Sequence, residues 1–322
     1  YLIDCATVVS QQIGRRPSEL RVNGTENLVA VISWRRARLD IALITADNKI
    51  AFRDQIPLTE EEDKVDKITS TFFNIMKPKV GDRRIMGLCI IIPGIIDAEN
   101  KRILSTVIGV GYSDPVVQRF EEAFHDYPFC LLNDTACFAY AEYVFAIFPE
   151  PNFAYINVSK RVGACLFANG KMLRVACSNA TQFGHFSVDR NGPLCACGNH
   201  GCVERVVGEN ALTERAEACG IDLTRFAGRK PLYCDIGAMA EDGDAHAKEL
   251  IKELAVDLSF AISNLITLFN PSLVVIGGMG VNLGAFFLSY IRDEVQNSGF
   301  KEFVSYTWFE YSTLGHGSYT QL

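Results

Sequence analysis

One pattern runs twice along this chain and limits the folds open to it. Residues 28–34, 38–45 and 49–57 are strand-like runs rich in Val, Ile and Ala, and Asp47-Asn48 between the last two suits a hairpin turn. Helical periodicity follows over 60–76, with Val65, Ile68, Phe72 and Ile75 on one face. Residues 85–93 are almost wholly apolar, which predicts a central parallel strand buried on both faces. A helix over 115–125, a short strand over 129–132 and a helix over 135–148 complete the unit. The pattern then restarts, with strands over 153–159, 161–168 and 171–175 and a strong hairpin turn at Asn169-Gly170. A long helix over 246–269 keeps Leu250, Leu254, Leu258, Ile262, Leu265 and Phe269 at helical spacing, and Pro271 ends it. A buried strand over 273–277, a glycine-rich turn and a helix over 283–296 follow. Two such units predict a duplicated α/β architecture of two lobes with a cleft between them, divided near 134–152.

Composition narrows the class. At 48% hydrophobic and 21% charged residues, disorder is excluded for most of the 322 residues. Lys plus Arg is 31 and Asp plus Glu is 38, so the net charge is −7. A surface built as a whole for nucleic acid would be basic. No cleavable signal peptide is evident, and the apolar runs fall short of the roughly 18–20 residues a membrane span needs. The expected location is the cytoplasm, with no membrane insertion. The chain opens on Tyr1 rather than Met, and Tyr1-Leu-Ile-Asp reads as the tail of another element, set off by a Gly14-Arg-Arg-Pro17 linker.

Eleven Cys is a high count for such a chain. Most are expected to be reduced, because a chain this long needs no disulfides in place of a core. Cys5, Cys89, Cys130, Cys137, Cys165, Cys177, Cys219 and Cys234 are scattered and read as small core residues. Cys195, Cys197 and Cys202 cluster downstream of His185 and are laced with Gly192, Gly198 and Gly201. Three thiolates and one imidazole form a standard tetrahedral zinc set, and the glycines let the backbone fold tightly around an ion. His200 is a rival for the fourth position. Four protein ligands leave no open coordination site, so the zinc is expected to be structural.

Gly184-His185, the spacing to Cys195, and the run Cys195-Ala-Cys197-Gly198-Asn-His-Gly201-Cys202-Val-Glu204 resemble the signature of the ROK family of repressors, open reading frames and sugar kinases. Pro93-Gly94-Ile-Ile-Asp97 resembles the family's sugar-lobe loop. Asn133-Asp134 resembles its sugar-binding Asn and catalytic Asp, and Gly277-Gly278-Met-Gly280 its second nucleotide-side glycine motif. The resemblance implies a two-lobed actin-like ATPase (ribonuclease H-like) fold of duplicated mixed sheets flanked by helices, with a zinc-bound loop. It divides the chain into 1–23 (the end of a DNA-binding wing and a linker), 24–134 (the first lobe) and 135–322 (the second lobe, with the zinc loop and a dimerisation surface). It also implies a sugar site made by Gly94, Asn133, Asp134, Gln182, His185 and Glu204, in which His185 gives one ring nitrogen to zinc and the other to the sugar.

A sugar kinase needs a base, groups to fix the sugar, room for ATP phosphates and an acid for Mg²⁺. Asp134 has the form of the base; it also reads as a simple helix cap. Kinases of the family carry Asp-x-Gly-Gly-Thr between their first two strands. Here the stretch is Ser33-Trp34-Arg35-Arg36-Ala37, so Ser33 replaces the acid and Arg35 and Arg36 replace the glycines. Gln182 stands where the family usually has Glu. These departures resemble the family's transcriptional repressors, with no ATP expected and no catalytic residue. The linker and the Ser18-x-Leu-Arg-Val22 strand resemble the joint that follows their winged helix-turn-helix. The reading is a sugar-responsive repressor body, a homodimer or tetramer, that takes a sugar or sugar phosphate and reaches operator DNA through an upstream domain. A kinase with an unusual phosphate loop is one alternative. A vestigial cleft that docks a sugar transporter is the other. Arg35 and Arg36 are candidates for holding an anionic effector.

Overall fold

A computed structural model describes residues 2–7, 18–35, 37–97, 102–103, 114–145, 150–173, 181–298 and 301–314, with backbone alone for 2–7 and 18–22. The Gly14–Pro17 linker, Arg36 and Cys177 lie outside the described residues. The chain divides into two compact units, Tyr1–Asp134 and Thr135–Leu322.

In the first unit, β1 (Leu2–Thr7) pairs antiparallel with β2 (Ser18–Val22). The main sheet follows: β3 (Asn27–Trp34), β4 (Arg38–Thr45), β5 (Ile50–Pro57) and β6 (Arg84–Ile92), then the short antiparallel pair β7 (Ile96–Asp97) and β8 (Arg102–Ile103), and finally β9 (Phe129–Asn133). Its order is β5-β4-β3-β6-β9. The first three strands are antiparallel, and β6 and β9 run parallel to β3. Asn48 takes a left-handed φ of 63° at the β4–β5 turn, as its short polar side chain allows. Helices α1 (Lys64–Thr71) and α2 (Val116–Ala123) cover a core that includes Leu28, Ile32, Leu43, Phe72 and Phe120.

The second unit begins with α3 (Asp134–Phe145, whose first residue closes the first unit). Its strands are β10 (Phe153–Val158), β11 (Val162–Ala168), β12 (Lys171–Met172), β13 (Leu273–Gly277) and β14 (Trp308–Tyr311), in the order β12-β11-β10-β13-β14. The directions repeat those of the first unit: two antiparallel pairs, then two parallel ones. Asn169 and Gly170 both have positive φ, as a two-residue primed turn requires. Between β12 and β13 come α4 (Val203–Val207), α5 (Glu209–Ala218), α6 (Tyr233–Glu241) and α7 (Ala245–Phe269); α8 (Gly284–Asn297) and α9 (Lys301–Val304) precede β14. The larger core joins α7, α8 and one face of the sheet; α3 packs on the other through Ala136 and Ala139.

Three expectations need correction. Strand β6 is not buried on both faces: Leu88, Ile90 and Ile92 are buried, while Cys89 and Ile91 opposite are half-buried. Its run of apolar residues hides an ordinary strand alternation. The helix predicted from residue 60 starts at Lys64, because Asp63 caps it and the preceding acidic run stays outside. Cys130 and Cys234 are exposed rather than core residues, unlike the fully buried Cys165.

Candidate functional site

The metal-ligand cluster is built on one loop of the second unit. His185 closes a short 3-10 turn, Phe183–His185, and its N–H donates to the Gln182 carbonyl at 2.9 Å. The turn presses against β11: a side chain at Gly184 would meet the Val162 carbonyl at 2.0 Å. The chain then runs out and folds back on itself. Val188 donates to Gly201 and Gly201 to Pro193, each at 2.9 Å; Cys195 donates to Asn199 at 2.8 Å. Gly201 takes φ +58° and packs its Cα so close to Asp189 that a Cβ would fall 1.9 Å from that carbonyl oxygen. This fold-back returns Cys202 beside His185, where its thiol donates to the His185 carbonyl at 3.4 Å.

The ligand atoms of His185, Cys195, Cys197 and Cys202 all lie within 4.8 Å of one another. Cys195 Sγ is 3.6 Å from His185 Nδ1, and Cys197 Sγ is 3.6 Å from Cys202 Sγ. A tetrahedral ion with bonds of about 2.3 Å to sulfur and about 2.05 Å to nitrogen has edges of about 3.8 Å and about 3.6 Å. The cluster could therefore hold one such ion. His200 is not in the group; its Nδ1 lies 2.9 Å from the Gly192 carbonyl and ties down the loop instead. Burial and the neighbouring thiols push the Cys202 thiol up to about 12, while the Asn199 N–H lowers that of the exposed Cys197. A cation at the centre would offset the mutual repulsion of the three sulfurs.

The same loop positions Glu204. Cys202 leads straight into α4, and Val203 N–H donates to the Phe186 carbonyl at 2.9 Å. Glu204 Oε2 accepts from Val162 N–H at 3.4 Å, and its other oxygen lies 3.9 Å from Arg161 Nη1. His185 and Glu204, nineteen positions apart, thus flank one clasp. Gln182, three residues before His185, is exposed. In the first unit, Asn133 ends β9 and its Nδ2 donates to the Gly94 carbonyl at 2.6 Å; Asp134 opens α3.

The β3–β4 hairpin is filled by side chains. Arg35 N–H donates to Arg38 O at 2.9 Å, and Arg35 and Arg38 both pair with Asp40, the latter at 2.9 Å. Trp34 is buried, and among the described residues its indole Nε1 has no hydrogen-bond partner. The glycines at the end of β13 are closely approached: a Cβ at Gly277 would meet the Tyr155 hydroxyl at 2.1 Å, and one at Gly278 the Asn157 carboxamide oxygen at 2.2 Å. Sequence reasoning missed these neighbours, since neither Tyr155 nor Asn157 adjoins the glycines in sequence.

Residues 33–318 match the ROK family, and the chain belongs to it. It is 25% identical over 300 residues to the xylose repressor of Caldicellulosiruptor bescii, covering 89% of this chain and 74% of the relative. It is 26% identical over 318 residues to the DNA-binding transcriptional dual regulator NagC of Escherichia coli, covering 95% of this chain and 76% of NagC. Among solved structures, a ROK family transcriptional regulator described as a homolog of the E. coli Mlc protein superposes with a TM-score of 0.83 at 23% identity, over 92% of this chain and 76% of that one. The ROK hexokinase of Thermus thermophilus gives 0.69 at 22% identity, over 89% and 93%. The fold is the family's actin-like ATPase fold. No helix among the described residues is long and apolar enough to cross a membrane.

Proposed function

We propose that this chain is the effector-sensing, oligomerising body of a sugar-responsive transcriptional repressor. The observation that carries the reading is the β3–β4 hairpin, where Trp34 is buried and Arg35 is paired with Asp40 in the stretch that kinases give to phosphate. Loss of the acid at Ser33 and of the glycines at Arg35 and Arg36 removes the metal ligand and the close backbone approach that phosphoryl transfer needs. The relative named xylose repressor supports the same reading, and NagC, named a transcriptional dual regulator, supports a role in transcription. The effector is a sugar or sugar phosphate; the residues proposed to contact it are Gly94, Asn133 and Asp134 in the first unit and, taken by themselves, Gln182, His185 and Glu204 in the second. Operator DNA is bound through a domain upstream of Tyr1, and the assembly is a homodimer or tetramer. Arg35 and Arg38 share the one Asp40 carboxylate, so two guanidiniums against one acid leave a positive charge that an anionic effector could meet.

The ion of the cluster is zinc with a structural role. It would supply a cross-link between the two ends of the loop, so that His185 and Glu204 hold fixed positions relative to each other. His185 turns Nδ1 toward Cys195, which leaves Nε2 for a sugar hydroxyl in this reading. Metal analysis should return one zinc per chain. No metal, with Cys195, Cys197 and Cys202 all reactive to a thiol reagent, would end this assignment.

Titration calorimetry against a panel including xylose, glucose, N-acetylglucosamine and their phosphates tests the effector. Heat is expected with one of them, and Asn133→Ala and Glu204→Ala should each weaken binding about tenfold or more, the cost of a lost hydrogen bond to a fixed polar group. No heat with any sugar would favour a protein partner such as a transporter. Sugar-dependent ADP formation that is lost in Asp134→Asn would favour a kinase.

A further inference from the structure

Cys89 in β6 and Cys130 in β9 are direct partners across a parallel strand pair. Adjacent strands lie about 4.8 Å apart, inside the range of about 4.4–6.8 Å between Cα atoms that a disulfide bridges. Leu88, Ile90 and Ile92 turn into the core of the first unit, so Cys89 projects from the opposite face, and Cys130 at the same register projects with it. Cys89 is half-buried and Cys130 exposed. Neither belongs to the metal cluster. The hydrogen bond with Cys89 pulls the Cys130 thiol down to about 7 against the upward push of burial. A thiol titrating near ambient pH is both ionised and nucleophilic.

The place of the pair in the sheet gives it a further property. Strand β6 runs on into Pro93-Gly94 and β9 ends on Asn133, and these ends are joined by the Asn133-to-Gly94 hydrogen bond of 2.6 Å. The two thiols stand on the strands that carry that bond.

We propose that Cys89 and Cys130 form an oxidation site, a dithiol that a hydroperoxide converts to a cross-strand disulfide. The Cys130 thiolate attacks the peroxide, its O–O bond breaks, and the products are a sulfenic acid on Cys130 and water (or alcohol). The Cys89 sulfur then attacks the Cys130 sulfur; the S–S bond forms, the S–O bond breaks, and water leaves with the Cys89 proton. Two thiols and one hydrogen peroxide thus give one disulfide and two waters; with an organic hydroperoxide the products are one disulfide, one alcohol and one water. Closure draws the Cβ atoms to about 3.8 Å, tighter than the strand spacing, and shifts the strand ends that bear Gly94 and Asn133. The effect on sugar binding rests on the effector reading above; formation of the disulfide does not.

Treating the purified, metal-loaded chain with one equivalent of hydrogen peroxide, then alkylating under denaturing conditions and mapping peptides, tests the site. The expected product is a peptide pair linked through Cys89 and Cys130, two hydrogen atoms lighter than the reduced pair and abolished by dithiothreitol. In Cys89→Ser, which has no resolving thiol, Cys130 should instead be trapped by dimedone as the sulfenic acid. If Cys89 and Cys130 are both fully alkylated while other cysteines have been oxidised, or if Cys130 links elsewhere, the proposal is overturned; the wild-type map decides this even if a variant does not fold. Sugar affinity compared between oxidised and reduced protein at equal zinc content should differ threefold or more. An unchanged affinity would overturn the coupling, whereas sugar binding absent from the reduced protein would count against the effector reading alone.

Discussion

Gly201 and Gly198 are two glycines of the clasp with opposite surroundings. Both have positive φ, but a Cβ at Gly201 would strike the Asp189 backbone, while one at Gly198 would meet open space. Gly198→Ala should therefore cost only the left-handed penalty of about 1 kcal/mol. Gly201→Ala adds a clash that no rotamer relieves and should cost about 2–4 kcal/mol, with metal retention falling in parallel; thermal unfolding with metal titration checks both. Glu142 is a third instructive residue. It is buried, accepts a hydrogen bond from Ser312, and burial raises its pKa above 4.5. A raised folded pKa makes stability greatest below the unfolded value and diminishes it as pH rises through the folded value. Glu142→Gln should thus raise the melting temperature at neutral pH, with the gain vanishing below about pH 4.5. The four residues that could hold a metal were legible as a group because spacing and donor type stand in the sequence itself. The Cys89–Cys130 pairing was not, because it arises from the register of two strands about forty residues apart.

Among the elements, α1 shows how a few side chains place a boundary. Asp63 accepts from Val65 and Asp66 N–H and also takes a two-pronged contact from Arg119 of α2. Asp63→Ala should cost about 1–2 kcal/mol, most of it the cap and less of it the half-exposed ion pair, and Asp63→Asn should recover the cap share; chemical denaturation measures both. On α7, Leu258 is fully buried and Val256 is 39% exposed. Leu258→Ala should lose about 2–5 kcal/mol and Val256→Ala under about 0.5 kcal/mol. Strands β4 and β13 were legible to the residue because their apolar runs end at polar or glycine turns. Helices α4, α5 and α6 and strand β14 were not assigned from sequence. Their burial comes from partners far along the chain, such as the Tyr233 hydroxyl donating to Val207 at 2.8 Å.

At the scale of the molecule, the two units repeat one strand order but have separate cores, and among the described residues the His/Cys cluster that could hold a metal lies in the second. Chelation should therefore raise amide exchange over residues 181–207 and leave 27–45 and 84–92 unchanged, because the cross-link is lost in one unit alone. Metal retention should also fall as pH drops, since the Cys202 thiol, pushed up to about 12 without an ion, must lose its proton to bind one. The fold-back that brings Cys202 to His185 has one further consequence, for how such a protein changes over generations and in the laboratory. Asn191 at the tip is exposed, yet Asp189 and Gly192 on either side of it pack against Gly201, so exchange of the Asn191 side chain should be tolerated where an insertion into the turn should not.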